Sequence, residues 1–182
     1  MKPPPFADLF ANTWDILTEI ATVKNSLRTI TFATVDRNGQ PQACLVVLRN
    51  VDRDNQILEF YMDADSLKYQ SLVRNPKAQI LVWEELNAIQ LRLSVKVTLR
   101  QDVKAEEIWQ KVPSPSQIAY GKQPPTGSVI NGQFDYKNLS SGDKFVVAEC
   151  RVTSIDYLSL KEVHFRAQFE KRSGWSGKWI SP

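Results

Sequence analysis

Histidine is nearly missing from this chain. His164 is the single one in 182 residues, so a histidine-rich metal centre has no ligands to draw on. A Ser-His-Asp relay would have to pass through that one residue, which sits in a strand-like run. Cysteine is also scarce. Cys44 and Cys150 lie far apart in apolar runs, form no CxxC pair, and read as buried free thiols in a reducing compartment. No apolar run is long enough to span a bilayer, and no apolar stretch follows the opening MKPPPF, so the cytoplasm is the expected location. Charge of one sign is lacking too. Lys and Arg number 23 against 20 Asp and Glu, and the net charge of +3 is spread without a basic stripe, which argues against a nucleic-acid partner. The glycine-rich nucleotide loops G-x-G-x-x-G and G-x-x-x-x-G-K-[ST] are absent, as are G-x-S-x-G and H-E-x-x-H. The paired carboxylates Glu84-Glu85 and Glu106-Glu107 read as solvated faces. What remains is a chain with no self-contained catalytic set, which suits reactivity supplied by a bound cofactor.

The residues that are present predict one domain over 1–182, long enough for a sizeable core. Residues 6–22 place Phe6, Leu9, Phe10, Trp14, Ile16, Leu17 and Ile20 near helical spacing, so an amphipathic helix is expected within 1–24. A strand is expected over 28–35, an Asn38-Gly39 hairpin turn with both residues tolerant of positive φ, and a returning strand over 41–50. The continuous run CLVVL in that strand predicts cover on both faces. Strands follow at 57–62, 78–83, 88–99, 144–157 and 162–170. Asp102 should cap a short helix, and SQIAY at 116–120 could form another. Residues 121–143 are rich in Gly, Pro, Ser and Asn and read as a long loop, either functional or a disordered excursion. Strands joined by hairpins, with two or three helices, predict a mainly β (α+β) fold: an antiparallel six-stranded split β-barrel with peripheral helices.

The organising stretch is 58–92. A strand ending in Phe60-Tyr61 runs into a helix opened by Asp65-Ser66, carrying Lys68 and stopped by Asn75-Pro76. The free N–H groups and dipole of a helix start favour an anion. Ser66 there is equally an ordinary cap and Lys68 a solvated lysine.

In order and spacing these segments are similar to the pyridoxamine 5'-phosphate oxidase-like flavoproteins, the FMN-binding split barrels. TFATVDRNGQPQACLVVLR resembles the family's ATVD-x-x-G-x-P-x-x-R-x-V-L-L-K. FYMDADSLKYQSLVRNPKAQILVWEELNAIQLRL resembles FYTN-x-x-S-R-K-x-x-x-L-x-x-NP with its tryptophan and R-Q-V-R-V strand. SPSQIA resembles the SQIGA segment, and WSGKWISP the W-x-x-x-R-L-x-P ending. The resemblance runs from about Arg28 to Pro182. It implies FMN as cofactor, a homodimer with the flavin at its interface, and a cofactor site of Arg49, Tyr61, Met62, Ser66, Lys68, Gln90, Gln123 and Arg166. Arg49 stands at a family lysine, Met62 at a threonine, and Leu67 and Cys44 at arginines. Pro124 stands at the serine after Gln123, and Leu158 at a tryptophan that packs on the flavin, for which Trp175 is the substitute candidate. Gln123 and Arg166 match positions supplied by the second subunit. Two cations suit a phosphate monoester, which carries about −1.5 to −2 charges near neutrality.

The substrate side of the family pattern is not kept. At its tyrosine, arginine and serine stand Ile108, Val112 and Ser116, and at its Arg-x-His stand Glu162 and His164. A glutamate beside a substrate phosphate would repel it. The expected function is therefore an FMN-dependent oxidoreductase acting on an unidentified small molecule. The alternatives are a non-catalytic flavin carrier or sensor, a pyridoxamine/pyridoxine 5'-phosphate oxidase, and a barrel-shaped module for binding nucleic acid or protein.

Overall fold

A computed structural model describes residues 4–22 and 28–182 of the chain. The opening helix α1 spans Phe6–Thr22, with Leu9, Thr13, Trp14, Ile16, Leu17 and Ala21 buried along one face. The outer residues of the expected 1–24 segment, 1–3 and 23–24, lie outside the described ones. There follow β1 (Thr29–Val35), β2 (Pro41–Val47), β3 (Asn50–Asp52), β4 (Ile57–Asp63), α2 (Leu67–Arg74), β5 (Lys77–Glu84) and β6 (Ile89–Arg100). Then come α3 (Val103–Trp109), α4 (Ser114–Gln117), β7 (Lys122–Gln123), β8 (Lys137–Asn138), β9 (Phe145–Ser159), β10 (Phe165–Glu170) and β11 (Gly177–Ile180).

All the pairings are antiparallel. The long strand β9 is the spine. Over Val147–Ser159 it pairs with β6; on its other side it pairs with β4 over Phe145–Arg151 and with β10 over Ser154–Ser159. From β6 the sheet continues through β5 and β1 to β2. The chain then changes partners within two residues. The Leu48 N–H donates to Arg28 C=O beside β1, and the Arg49 N–H donates to Glu59 C=O in β4. That switch closes a ring of β1, β2 with β3, β4, β9, β6 and β5, so the expected six-stranded antiparallel split barrel is the fold. The single strand expected over 41–50 is broken at this corner, since two faces of the ring must be joined there.

Strand periodicity sorts core from surface. In β6, Ile89, Leu91, Leu93, Val95 and Val97 point inward. In β9 the inward set is Val146, Ala148, Cys150 and Val152, and then Ile155 and Tyr157. The change of phase comes at a β-bulge, where the register with β6 jumps between Ser94 and Val95 and Thr153 is the extra residue. Helix α1 and the end of the chain add an aromatic cluster: Phe10 packs on Trp14, Phe169 and Trp175, and Phe6 on Phe169 and Trp179. A second, smaller cluster lies outside the ring, where Ala105, Ile108, Trp109, Val112 and Tyr120 cover Tyr61, Phe145 and Val147.

Three local expectations change. In the CLVVL run only Val46 and Leu48 are buried; Leu45 is exposed because no layer covers the outer face of β2, Cys44 is exposed as well, and of the two thiols only Cys150 is in the core. In the hairpin turn Gly39 alone takes a positive φ, of 80°, while the Asp36 carboxylate organises the loop by accepting from the Asn38 and Gln40 N–H groups. The long loop 121–143 contains the β7–β8 pairing, and the helix expected over 116–120 lies at Ser114–Gln117.

Candidate functional site

The candidate residues fall into two groups at opposite ends of β9, nearly all on the outer face of the barrel. The first group forms around Arg49. The strand switch places its side chain over the ring of Tyr61, 5.4 Å from the centroid. No carboxylate of the described residues pairs with it, and its Nε is buried without an acceptor. The phenols of Tyr61 and Tyr120 are both pushed upward by burial, against the opposing charge of Arg49. Both are therefore neutral at pH 7.

Next to Arg49 the chain turns from β4 into α2. The Asp63 carboxylate accepts from the Asp65 N–H at 2.7 Å and from the Gly121 N–H at 2.8 Å, and the Asp65 carboxylate pairs with Lys144 at 2.8 Å. These acids are thus committed to the chain itself. Gly121 must be glycine: φ is 69°, and a Cβ would come within 2.8 Å of the Ser141 side chain. Ser66 caps α2, accepting from the Tyr69 N–H at 3.4 Å, and Lys68 in the first turn has no ion-pair partner among the described residues. Gln123 is exposed, two residues beyond the Gly121–Asp63 hydrogen bond, and so lies at this end in its own chain. Met62 differs from the other candidates. Its side chain alternates to the inside of the barrel and is a core residue, 2% exposed.

The second group lies where β6, β9 and β10 run side by side. Gln90 is opposite Leu158, and Leu158 is opposite Arg166. Arg166 grips Asp156 through Nε and an Nη at 2.9 and 2.8 Å, and Arg92 reaches the same carboxylate at 2.6 Å. Burial alone would raise the Asp156 carboxyl; the hydrogen bonds and charges of the two arginines outweigh it and hold the group below its ordinary range. On the same outer face stand the exposed apolar residues Leu45, Leu81 and Trp83. Trp175 packs against Phe10 in the aromatic cluster at α1.

The two groups do not meet within one chain. Tyr61 is opposite Val147 and Gln90 is opposite Leu158, eleven residues along β9. At about 3.3 Å per residue that is a strand path of roughly 36 Å. Sequence reasoning missed Tyr120, Asp63 and the Asp156–Arg92 pair. Nothing in the local pattern around Tyr120 marks it, since it comes near Arg49 only through the packing of α3 and α4.

Of the substrate-side positions, Val112 is buried in the small outer cluster, Ile108 packs against it, and Glu162 and His164 are exposed between β9 and β10.

The family model described as pyridoxamine 5'-phosphate oxidase matches residues 16–136, about two thirds of the chain. The chain belongs to this family. A pyridoxine/pyridoxamine 5'-phosphate oxidase of Bradyrhizobium diazoefficiens is 33% identical over 180 residues, covering 98% of this chain and 73% of that protein. The one of Polynucleobacter asymbioticus is 29% identical over 106 residues, covering 58% of this chain and 49% of the relative, so the match spans about half of that relative's length. Among solved structures, a pyridoxamine 5'-phosphate oxidase-related, FMN binding protein of Nostoc punctiforme superposes with a TM-score of 0.75 at 21% identity, with both chains fully covered. At that identity the likeness establishes the split-barrel fold.

Do the residues of the family site fit a flavin mononucleotide? At the Arg49 end they do. A guanidinium with a buried, unsatisfied Nε and an unpaired lysine at a helix start together lack an anion, and an unsatisfied buried donor costs about 1–3 kcal/mol. No helix among the described residues is long and apolar enough to cross a membrane.

Proposed function

We propose that this protein is an FMN-dependent oxidoreductase that works as a homodimer, with a substrate other than pyridoxamine or pyridoxine 5'-phosphate. The observation that carries the reading is the pair of cations without carboxylate partners, Arg49 and Lys68, beside the Ser66-capped start of α2. Arg49 and Lys68 would offset most of the phosphate charge, while the Ser66 hydroxyl and the first N–H groups of α2 donate hydrogen bonds. The family to which the chain belongs, and the FMN-binding Nostoc protein, support the choice of FMN. When bound, FMN supplies two-electron hydride exchange at its ring; the protein supplies binding, orientation and polarity around it. The phenol of Tyr61 stays protonated and offers its ring and hydroxyl at the start of the site.

The geometry of β9 supports the dimer. FMN is much shorter than the path from Tyr61 to Gln90, so these two groups reach one flavin only if a second copy brings its own Gln90 and Arg166. The exposed strip of Leu45, Leu81 and Trp83 on the same face gives such a copy an apolar surface to cover. Gln123 divides from Arg166 here, since it already lies at the Arg49 end of its own chain.

Titration of the purified protein with FMN should quench flavin fluorescence at one FMN per chain; a flat curve at micromolar protein would exclude the reading. Light scattering of the FMN-loaded protein should give twice the chain mass, and Trp83→Glu should lower both that mass and flavin retention. A monomer that keeps its flavin would remove the shared site. Bound FMN that no reduced nicotinamide or small-molecule donor reduces would favour the carrier or sensor reading instead.

A further inference from the structure

Resting on the FMN reading above, we propose that Asp63 is a positioning residue of the cofactor site. It ties the long loop 121–143 to the start of α2, so that phosphate binding there and docking of the loop are coupled. Both feet of the loop stand on the turn 63–65 that opens α2. At the first foot the Gly121 N–H donates to one Asp63 carboxylate oxygen at 2.8 Å, across 58 residues of sequence. The other oxygen accepts from the Asp65 N–H at 2.7 Å and so shapes the turn just before the Ser66 cap. At the second foot the Ala64 N–H donates to Lys144 C=O at 2.9 Å, and the Lys144 ammonium pairs with Asp65 at 2.8 Å. The β7–β8 pairing and the bond from the Leu139 N–H to Gly121 C=O lace the feet together. Beyond them, among the described residues, the hydrogen bonds of 124–136 stay within the loop, and Phe134 is 77% exposed.

The Asp63 bond is the strong one among these. Asp63 is 6% exposed, whereas the Lys144 side chain is 42% exposed, and an ion pair open to water contributes little. A buried carboxylate needs both oxygens paired, and the two N–H groups do that. Pulling the loop away would leave one oxygen buried and unpaired. A phosphate held by Arg49, Lys68 and the first N–H groups of α2 keeps the turn in the shape that both feet need. Linkage makes the effect mutual: whatever docks the loop favours the phosphate by the same factor. The same bond sets the place of Gln123, two residues further on. The charge of Asp63 works the other way, since a carboxylate near a phosphate repels it. Position and charge thus give opposite signs when Asp63 is replaced.

The test compares FMN with riboflavin, which lacks the phosphate. Dissociation constants are measured by fluorescence quenching for the wild type, Asp63→Asn, Gly121→Ala and the double variant. Asp63→Asn keeps the shape and leaves a single acceptor oxygen. It should weaken FMN binding about tenfold and leave riboflavin binding nearly unchanged. Gly121→Ala attacks the same bond from the other side with the Asp63 charge intact, and should shift the preference in the same direction. The double variant should fall no further than the larger single fall. In the wild type, where no variant has to fold, FMN but not riboflavin should slow chymotryptic cleavage at Phe134. Unchanged or tighter FMN binding in Asp63→Asn would overturn the proposal, by showing that the charge of Asp63 matches or outweighs its position. Equal losses for the two flavins would overturn it by reducing Asp63 to a support of the fold. Additive falls, or wild-type cleavage indifferent to bound FMN, would also overturn it and leave the cofactor reading standing. Wild-type protein that takes up neither flavin would remove the cofactor reading and this proposal together.

Discussion

The two ends of β9 hold the same kinds of residue and treat them in opposite ways. At the Tyr61 end the cations Arg49 and Lys68 have no acid partner, and the nearby acids Asp63 and Asp65 are bound to the chain's own N–H groups and to Lys144. At the Leu158 end Arg166 and Arg92 converge on Asp156. The first arrangement leaves positive charge unspent and orients it with neutral groups. The second spends most of it inside the protein and builds a rigid, pre-formed network. Both ends hold a guanidinium with a buried, unsatisfied Nε, Arg49 and Arg92; the difference is that Arg92 shares a carboxylate with Arg166, whereas Arg49 and Lys68 have none and can take an anion.

The largest expected effect concerns the substrate, because the resemblance implies an arginine at one position near each end where this chain has Val112, in the cluster under Tyr120, and Glu162, beside β10. Two charge-assisted hydrogen bonds are worth roughly 3–6 kcal/mol together. The FMN-loaded protein should therefore oxidise pyridoxine 5'-phosphate some two to four decades less efficiently than a dedicated oxidase. Comparable turnover in a steady-state oxygen assay would show that the two ends rebuild a second phosphate site.

Lys68→Ala comes next. It should weaken FMN binding about tenfold and spare riboflavin. Equal losses for the two ligands would show that Lys68 supports the fold or the ring, and the contrast between the ends would fail.

The smallest effect belongs to the closed end. Asp156→Asn leaves Arg166 and Arg92 without their shared anion and should cost about 1–2 kcal/mol, a modest figure because Arg92 is 40% exposed. In a protein of this size that is a fall in Tm of roughly 2–8 °C. The pH dependence has a definite sign. The folded carboxyl of Asp156 titrates below its unfolded value of about 3.9, so its stabilisation is complete above that pH and is lost as pH falls through the lower, folded value. Thermal melts of the wild type and the variant should therefore converge below about pH 4 and stay apart at pH 6–8. A constant gap across that range would show that the ion pairs are not its source.

Much of this was legible in the chain because it is local. The spacing of Leu9, Trp14 and Leu17 marked α1; Ser66 and Asn75-Pro76 marked the two ends of α2; and alternation in 89–97 marked β6. The order of the strands and the motifs along them marked the barrel and its family. Arg49, Tyr61, Ser66 and Lys68 were legible for the same reason, since a strand end and the helix start that follows it are neighbours in sequence.

What the sequence by itself determined is which segments are strands and helices and which face of each is apolar. These follow from periods of 2 and 3.6 residues and from capping side chains, which act within a few residues. Only the tertiary structure decided the rest. The bulge at Thr153 reverses which side chains of β9 face inward, and so puts Asp156 on the outer face with Arg166. The partner switch at Leu48–Arg49 sets Arg49 over Tyr61. Tyr120 comes near Arg49, and Tyr61 stands eleven residues of β9 away from Gln90, because strand register and helix packing bring together or hold apart residues that are distant along the chain. No local pattern encodes those distances, since they depend on how every strand of the ring is paired at once.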